Sequence, residues 1–142
     1  MSNEQKRTLA LFYCRNVPES GEYNRRTLEK RYGLSIRLFP IPCSGRLEIL
    51  HLLRALEEFA DAAYVITCPE GACRYFEGNR RAKKRVERAR SIIESIGLEK
   101  ERLGIIIGSE KERKTLAELS DEILETLSCM AISPVHEKRL KA

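Results

Sequence analysis

The chemistry on offer in this sequence is that of sulfur. Five cysteines stand at positions 14, 43, 68, 73 and 129. Cys129 lies apart near the C-terminus, which leaves four, the number a tetrathiolate metal centre takes. The count is odd and the N-terminal stretch MSNEQKRT runs into no apolar leader, so paired disulfides are not the expected use. Cys68 and Cys73 form a C-x4-C pair across Pro69-Glu70-Gly71-Ala72, while Cys14 and Cys43 are isolated. Structural zinc sites draw on two C-x2–4-C knuckles, which this spacing lacks. Dispersed thiolates suit an iron–sulfur centre better, and C-x4-C occurs in [2Fe–2S] ligation, but spacing alone leaves both metals open. A C-x-x-C redox pair is absent. His51 and His136 have no metal-ligand company.

What could bring four scattered thiols together is the order of the elements around them. TLALFYC (8–14) has the continuous apolar character of a buried strand, and AAYVITC (62–68) repeats it. LSIRLFPIPC (34–43) alternates at Ile36 and Leu38 and is expected to end at Pro40 and Pro42. LGIIIG (103–108) makes a fourth strand. Between them lie helical patterns. Residues 23–33 are charged and stop at Gly33. Residues 46–60 carry Leu47, Leu50, Leu53, Leu56 and Phe59 on an expected inner face, and 78–96 carry Ala82, Val86, Ala89, Ile93 and Ile96. The last helix is expected to open at Ser109, with Glu112 in capping-box position and Leu116, Leu119, Ile123 and Leu127 buried.

Strand–helix alternation four times over predicts an α/β fold: a single three-layer domain over residues 1–130, with a mainly parallel four-stranded sheet and helices on both faces. Residues 131–142 form a polar C-terminal tail, loose or held by a partner. In such a sheet the C-terminal strand ends share one edge, where these folds bind ligands. Cys14, Cys43, Cys68 and Cys73 all fall at or just past a strand end, so they are the candidate metal ligands. Ser44 and Gly45 offer backbone amides to sulfur, and Arg46 and Arg74 bring positive charge that would favour the reduced state.

These stretches resemble a known family. Cys43-Ser44-Gly45-Arg46, followed by Cys68-Pro69-Glu70-Gly71-Ala72-Cys73-Arg74-Tyr75-Phe76-Glu77-Gly78-Asn79, is similar to the C-S-G-R and C-x-P-G-x-C-x-Y-x-x-G-N elements of the methyl-viologen-reducing hydrogenase delta subunit. The likeness runs over roughly residues 8–128. It implies an electron-transfer protein with a [2Fe–2S] cluster, relaying electrons between a donor enzyme and a heterodisulfide reductase A-like flavoprotein. The family usually has C-x-x-C after its first strand, whereas Cys14-Arg15-Asn16-Val17 keeps only the first cysteine. With that pair reduced to one, Cys14, Cys43, Cys68 and Cys73 just suffice for the cluster.

The rest of the chain bounds the alternatives. It has 142 residues, 42% hydrophobic and 33% charged, with no apolar run long enough to span a membrane, so a cytoplasmic location is the expectation. The formal charge is +5, and a basic run includes Arg80, Arg81, Lys83, Lys84, Arg85, Arg88 and Arg90. We read Arg80, Arg81, Lys84, Arg85 and Arg88 as a docking face for an acidic partner protein, weighed against a merely solvated helix face. Nucleic acid is less favoured, because no aromatic residues interleave with the basic ones. No nucleophile–base pair or glycine-rich phosphate loop is present, so no catalytic residues are assigned. The competing functions are a zinc-stabilised binding module, using residues 80–90 on nucleic acid, and a metal-free thiol redox protein using Cys68 and Cys73.

Overall fold

A computed structural model describes residues 7–14, 17–41, 47–67, 78–107 and 114–135. In chain order the elements are β1 (Leu9–Cys14), α1 (Glu22–Tyr32), β2 (Ile36–Ile41), α2 (Ile49–Glu58), β3 (Ala62–Thr67), α3 (Gly78–Ser95), β4 (Leu103–Ile107) and α4 (Leu116–Leu127). The strands form one parallel sheet in the order β2-β1-β3-β4. The expected α/β architecture is therefore the one observed.

Two apolar cores sandwich the sheet. Leu9, Leu11 and Tyr13 of β1 join Leu28 of α1 and Leu116, Leu119, Ile123 and Leu127 of α4. Ala10 and Phe12, on the opposite side of the same strand, join Leu52, Ala55 and Leu56 of α2 and Val86, Ala89 and Ile93 of α3. This explains why β1 is apolar at every position: both of its faces are covered, so neither can carry the polar half of an alternating pattern.

Helix ends follow local chemistry. Gly33, with φ of +59°, stops α1 where a side chain would be strained. After α3, Leu98 N–H donates to Ile93 O at 3.0 Å and Gly97 N–H to Glu94 O at 3.1 Å, a Schellman closure with Gly97 at φ +95°. At the start of α4, Glu118 N–H donates to Thr115 Oγ1 at 3.2 Å and Thr115 N–H to Glu118 Oε1 at 3.1 Å. That capping box opens the described helix, six residues later than expected; the Ser109–Glu112 stretch lies outside the described residues.

Three further elements differ from expectation. Pro40 does not end β2, which continues to Ile41. β2 is an edge strand, so a residue without N–H is tolerated there. Leu50 is exposed, not on the inner face of α2, which is built from Leu52, Ala55 and Leu56. The i, i+3 series of leucines drifts by about 60° per step around a 3.6-residue helix and cannot stay on one face. Ile96 lies beyond the end of α3 and is also exposed.

The N-terminal rim of the sheet is held by polar groups. Asp61, buried, accepts from Thr8 N–H through Oδ2 and from Ser133 N–H through Oδ1, both at 2.8 Å. Arg102, 1% exposed, donates to the carbonyls of Asp61 at 3.0 Å and Ala131 at 2.9 Å, and forks onto Glu99 at 3.0 and 3.2 Å. Ala131 and Ser133 are thus tied down, although they open the stretch expected to be loose or partner-held. Nearby, Tyr64 lies over Gly104, its register partner in β4. A Cβ on Gly104 would fall 2.7 Å from Tyr64 Cζ and 2.9 Å from Cδ2.

Candidate metal centre

The opposite rim carries the chemistry. Register pairs Cys14 with Ile41, Tyr13 with Ile66 and Thr67 with Ile107, so all four strands end along one line. Neighbouring strands lie about 4.8 Å apart, which makes Ile41, Cys14 and Thr67 consecutive neighbours across roughly 10 Å. The chain leaves β1 for α1 on one face and leaves β3 for α3 on the other. A crevice opens between strands where the direction of the connections reverses, and here that point lies between β1 and β3.

Cys14 stands at this crevice, 2% exposed and free of any disulfide. Alternation would send its side chain toward α2 and α3, with Ala10 and Phe12. It belongs instead to the core beneath α1 and α4, together with Val17 and Leu28. The chain turns at once: Val17 N–H donates to Cys14 O at 3.0 Å, and Ser20 Oγ donates to Val17 O at 2.6 Å. Pro18 O accepts from Leu116 N–H at 3.0 Å, fastening this turn to the start of α4.

Cys43, Ser44, Gly45, Arg46, Cys68, Cys73 and Arg74 lie outside the described residues. The described chain stops at Ile41, two residues before Cys43, and at Thr67, one before Cys68. Among the described residues no three His, Cys, Asp or Glu side chains gather as a metal-binding group. Three of the four candidate ligands, Cys43, Cys68 and Cys73, therefore lie in stretches outside the described residues. Cys129 is exposed, beside Ser128, on the segment after α4. Buried Thr67, the last residue of β3, is a polar group at this rim that composition and spacing do not single out.

The basic helix α3 begins where the 68–77 stretch ends. Arg80, Arg81, Lys83, Lys84 and Arg88 are exposed, and Arg80, Lys83, Lys84 and Glu87 line an open groove of about 560 Å³. Arg85 differs. It is half-buried, and its Nη1 donates to the carbonyl of Leu47 at 2.6 Å, across to the segment leading into α2. That segment is itself shaped by Glu48, whose N–H donates to His51 Nδ1 at 3.0 Å.

Comparison with known proteins adds to this geometry. Residues 9–131 match the family profile described as methyl-viologen-reducing hydrogenase, delta subunit. The chain is 37% identical over 82 residues to the vhu iron-sulfur D subunit of the F420-non-reducing hydrogenase from Methanopyrus kandleri. That match takes in 58% of this chain and 62% of the relative, less than two thirds of its length. Identity to the protein of the same name from Methanocaldococcus jannaschii is 27% over 109 residues, covering 77% of this chain and 81% of the relative. The chain is also 37% identical over 98 residues to the A subunit of the ferredoxin:CoB-CoM heterodisulfide reductase from Methanosarcina mazei, where it corresponds to only 12% of that protein. No helix among the described residues is long and apolar enough to cross a membrane.

Proposed function

Because the chain belongs to the methyl-viologen-reducing hydrogenase delta subunit family, we propose that it is the electron-transfer component of a multi-subunit redox complex. In this reading it holds a [2Fe–2S] cluster through Cys14, Cys43, Cys68 and Cys73. It passes electrons between a donor enzyme and a heterodisulfide reductase A-like flavoprotein. The observation that carries it is the buried, free Cys14 at the crevice between β1 and β3. Covalent reach supports Cys68 and Cys43. Cys68 is the next residue after Thr67 and Cys43 the second after Ile41, so their backbones stay within about 4 Å and about 8 Å of the described rim. Relatives named as iron-sulfur subunits support the cofactor class, and those named as part of heterodisulfide reductase support the partner.

A bound cluster of this kind supplies one-electron chemistry. The chain's own residues set its conditions. Cys14, inside an apolar core, keeps water from one side of the centre. Ser44 and Gly45 offer N–H groups to sulfur, and Arg46 and Arg74 add positive charge that stabilises the reduced state. Four thiolates leave no open coordination position, which suits transfer of electrons without substrate binding at the metal. Arg80, Arg81, Lys84 and Arg88 give α3 a cationic face adjoining the ligand stretch, fit to orient an acidic partner.

The deciding experiment is anaerobic purification, followed by iron, zinc and acid-labile sulfide analysis and EPR of the reduced protein. Iron and sulfide in equal amounts with a reduced-state EPR signal are expected. Stoichiometric zinc, with neither iron nor sulfide after reconstitution, would end this reading in favour of a zinc-stabilised module. Reversible disulfide turnover without metal would favour a thiol redox protein using Cys68 and Cys73.

A further inference from the structure

Among the described residues the sheet has two open edges, and they are built differently. β2 carries the exposed cation Arg37 and also Pro40, which has no N–H to offer. Both features deter the addition of a further strand. β4, at the other edge, reads Leu103-Gly104-Ile105-Ile106-Ile107, with neither charge nor proline. No described strand pairs with its outer side. Ile105 and Ile106 are partly buried and Ile107 is exposed.

α3 lies over this edge. Val86, Ala89 and Ile93 share a core with Val65 of β3 and with Leu103 and Ile105 of β4. One side of α3 faces the segment before α2, where Arg85 bonds to Leu47 O. The other side faces the approach to β4. There Arg90 Nε donates to Lys100 O at 3.2 Å, and Glu87, Arg90, Ser91, Glu94 and Lys100 line a cleft of about 220 Å³. Charges alternate along that side as Lys83, Glu87, Arg90, Glu94, an order that is its own complement when reversed. If α3 is laid antiparallel to a copy of itself about a point between Arg88 and Ala89, Lys83 of one copy meets Glu94 of the other, and Glu87 meets Arg90.

We propose that β4 and this side of α3 form a self-association surface, occupied by a second copy of the chain across a twofold axis, so that the two sheets run on as one. Antiparallel pairing of two β4 strands about Ile105 sets Leu103 against Ile107, with no like charges opposed. A strand spacing of about 4.8 Å then puts two helices that lie over β3 and β4 roughly 10 Å apart, the distance at which helices pack. The midpoints of strand and helix agree, because Ala89 and Ile105 share one core. In a twofold contact every pair occurs twice, so each charge change is felt twice. One strand and one helix side make a small interface, so association is weak and reversible. The pairing needs no metal, so its outcome is separate from that of the function proposed above.

The test is sedimentation equilibrium of the full chain, under anaerobic reducing conditions that keep exposed Cys129 from forming disulfides. Concentrations span about 1 μM to 1 mM, and wild type is expected to pass from monomer to dimer across them. Ile107→Lys should remove the dimer, as a charge on an open strand edge does. Lys83→Glu opposes carboxylates across the twofold and should raise the dissociation constant about tenfold, and Glu94→Lys should do the same. Lys83→Glu combined with Glu94→Lys should return it to within about twofold of wild type. Lys83 and Glu94 stand three turns apart on one helix, about 16 Å, so they cannot pair within a chain. Rescue therefore reports a contact between copies in this register, and a double variant as weak as either single one overturns it. Wild type that stays monomeric throughout would leave the β4 edge to some other chain and overturn the proposal. So would an Ile107→Lys variant that dimerises as well as wild type. If Ile107→Lys does not fold, the charge-swap series decides alone.

Discussion

Val17 donates its backbone N–H to the carbonyl of Cys14 at 3.0 Å and shares a buried core with it. The position that holds a second cysteine in the family's usual C-x-x-C is thus filled here by a packed valine, 6% exposed. Val17→Cys replaces one small apolar side chain with another, at a cost of about 1 kcal/mol for the lost methyl contact. Denaturant unfolding should show that modest loss. Iron per chain should not rise, because the four thiolates of the proposed ligand set already complete a centre. An increase in bound iron would mean that the wild-type site is incomplete.

Cys14 and Cys129 are both free thiols but differ in burial. Cys14→Ser is expected to abolish iron and sulfide binding, whereas Cys129→Ser should retain both in full. Metal analysis of the two variants side by side checks this. Equal iron retention would remove Cys14 from the ligand set.

Gly104 has no room for a methyl group beneath Tyr64. Gly104→Ala should destabilise the chain by about 1–3 kcal/mol, the range for overpacking a filled site. Adding Tyr64→Leu should recover part of the loss, since the ring is what the new methyl meets. A denaturant double-mutant cycle measures the coupling; strictly additive effects would count against the clash.

Glu99 is held below the usual carboxylate value of 4.5 by its hydrogen bonds from Arg102. The unfolded chain therefore binds a proton more readily than the folded one. This contribution to stability is complete above about pH 5, and it falls away as pH drops through the lower folded value. Half of the Glu99 side chain is exposed, so the effect is small. The unfolding midpoint should fall less steeply with acid in Glu99→Gln than in wild type. Arg102→Ala is a larger lesion at every pH, costing about 3 kcal/mol, because the buried Asp61 residue's carbonyl loses its donor and the tie to the Ala131 carbonyl is lost with it.

Reversing charge at Arg80, Lys83 and Lys84 should leave folding unchanged, since all three side chains are exposed. Association with a heterodisulfide reductase A-like flavoprotein should slow by about tenfold or more at low ionic strength, with the difference shrinking as salt is added. Stopped-flow binding across a salt series measures both. Equal rates at low salt would assign α3 to solvent alone.

Much of this arrangement is legible in the sequence because it rests on local pattern. Doubly covered strands read as unbroken apolar runs, as in β1 and β3, and Gly33 marks a helix stop. The stretches 43–46 and 68–79 carry the family likeness. Misreadings arise where position in the sheet or a precise angle decides. Pro40 is tolerated because β2 lies at an edge, and edge status is a property of the whole sheet. Leu50 follows an i, i+3 pattern that drifts around the helix and out into solvent. The roles of Arg85 and Arg102 have no local signal. Their backbone acceptors lie 38 residues away for Arg85, and 41 and 29 away for Arg102.

The carboxylate of Asp61 takes Thr8 on one oxygen and Ser133 on the other, each at 2.8 Å. The first strand's approach and the stretch beyond α4 therefore meet at one side chain, at the far end of the sheet from Cys14. A polypeptide built this way has its entry and exit at a single doorway. It can be spliced into a larger host, or extended at either side, without disturbing the rim that carries Cys14. The short matching stretch inside the heterodisulfide reductase relative, 12% of that protein, has the proportions of such a guest.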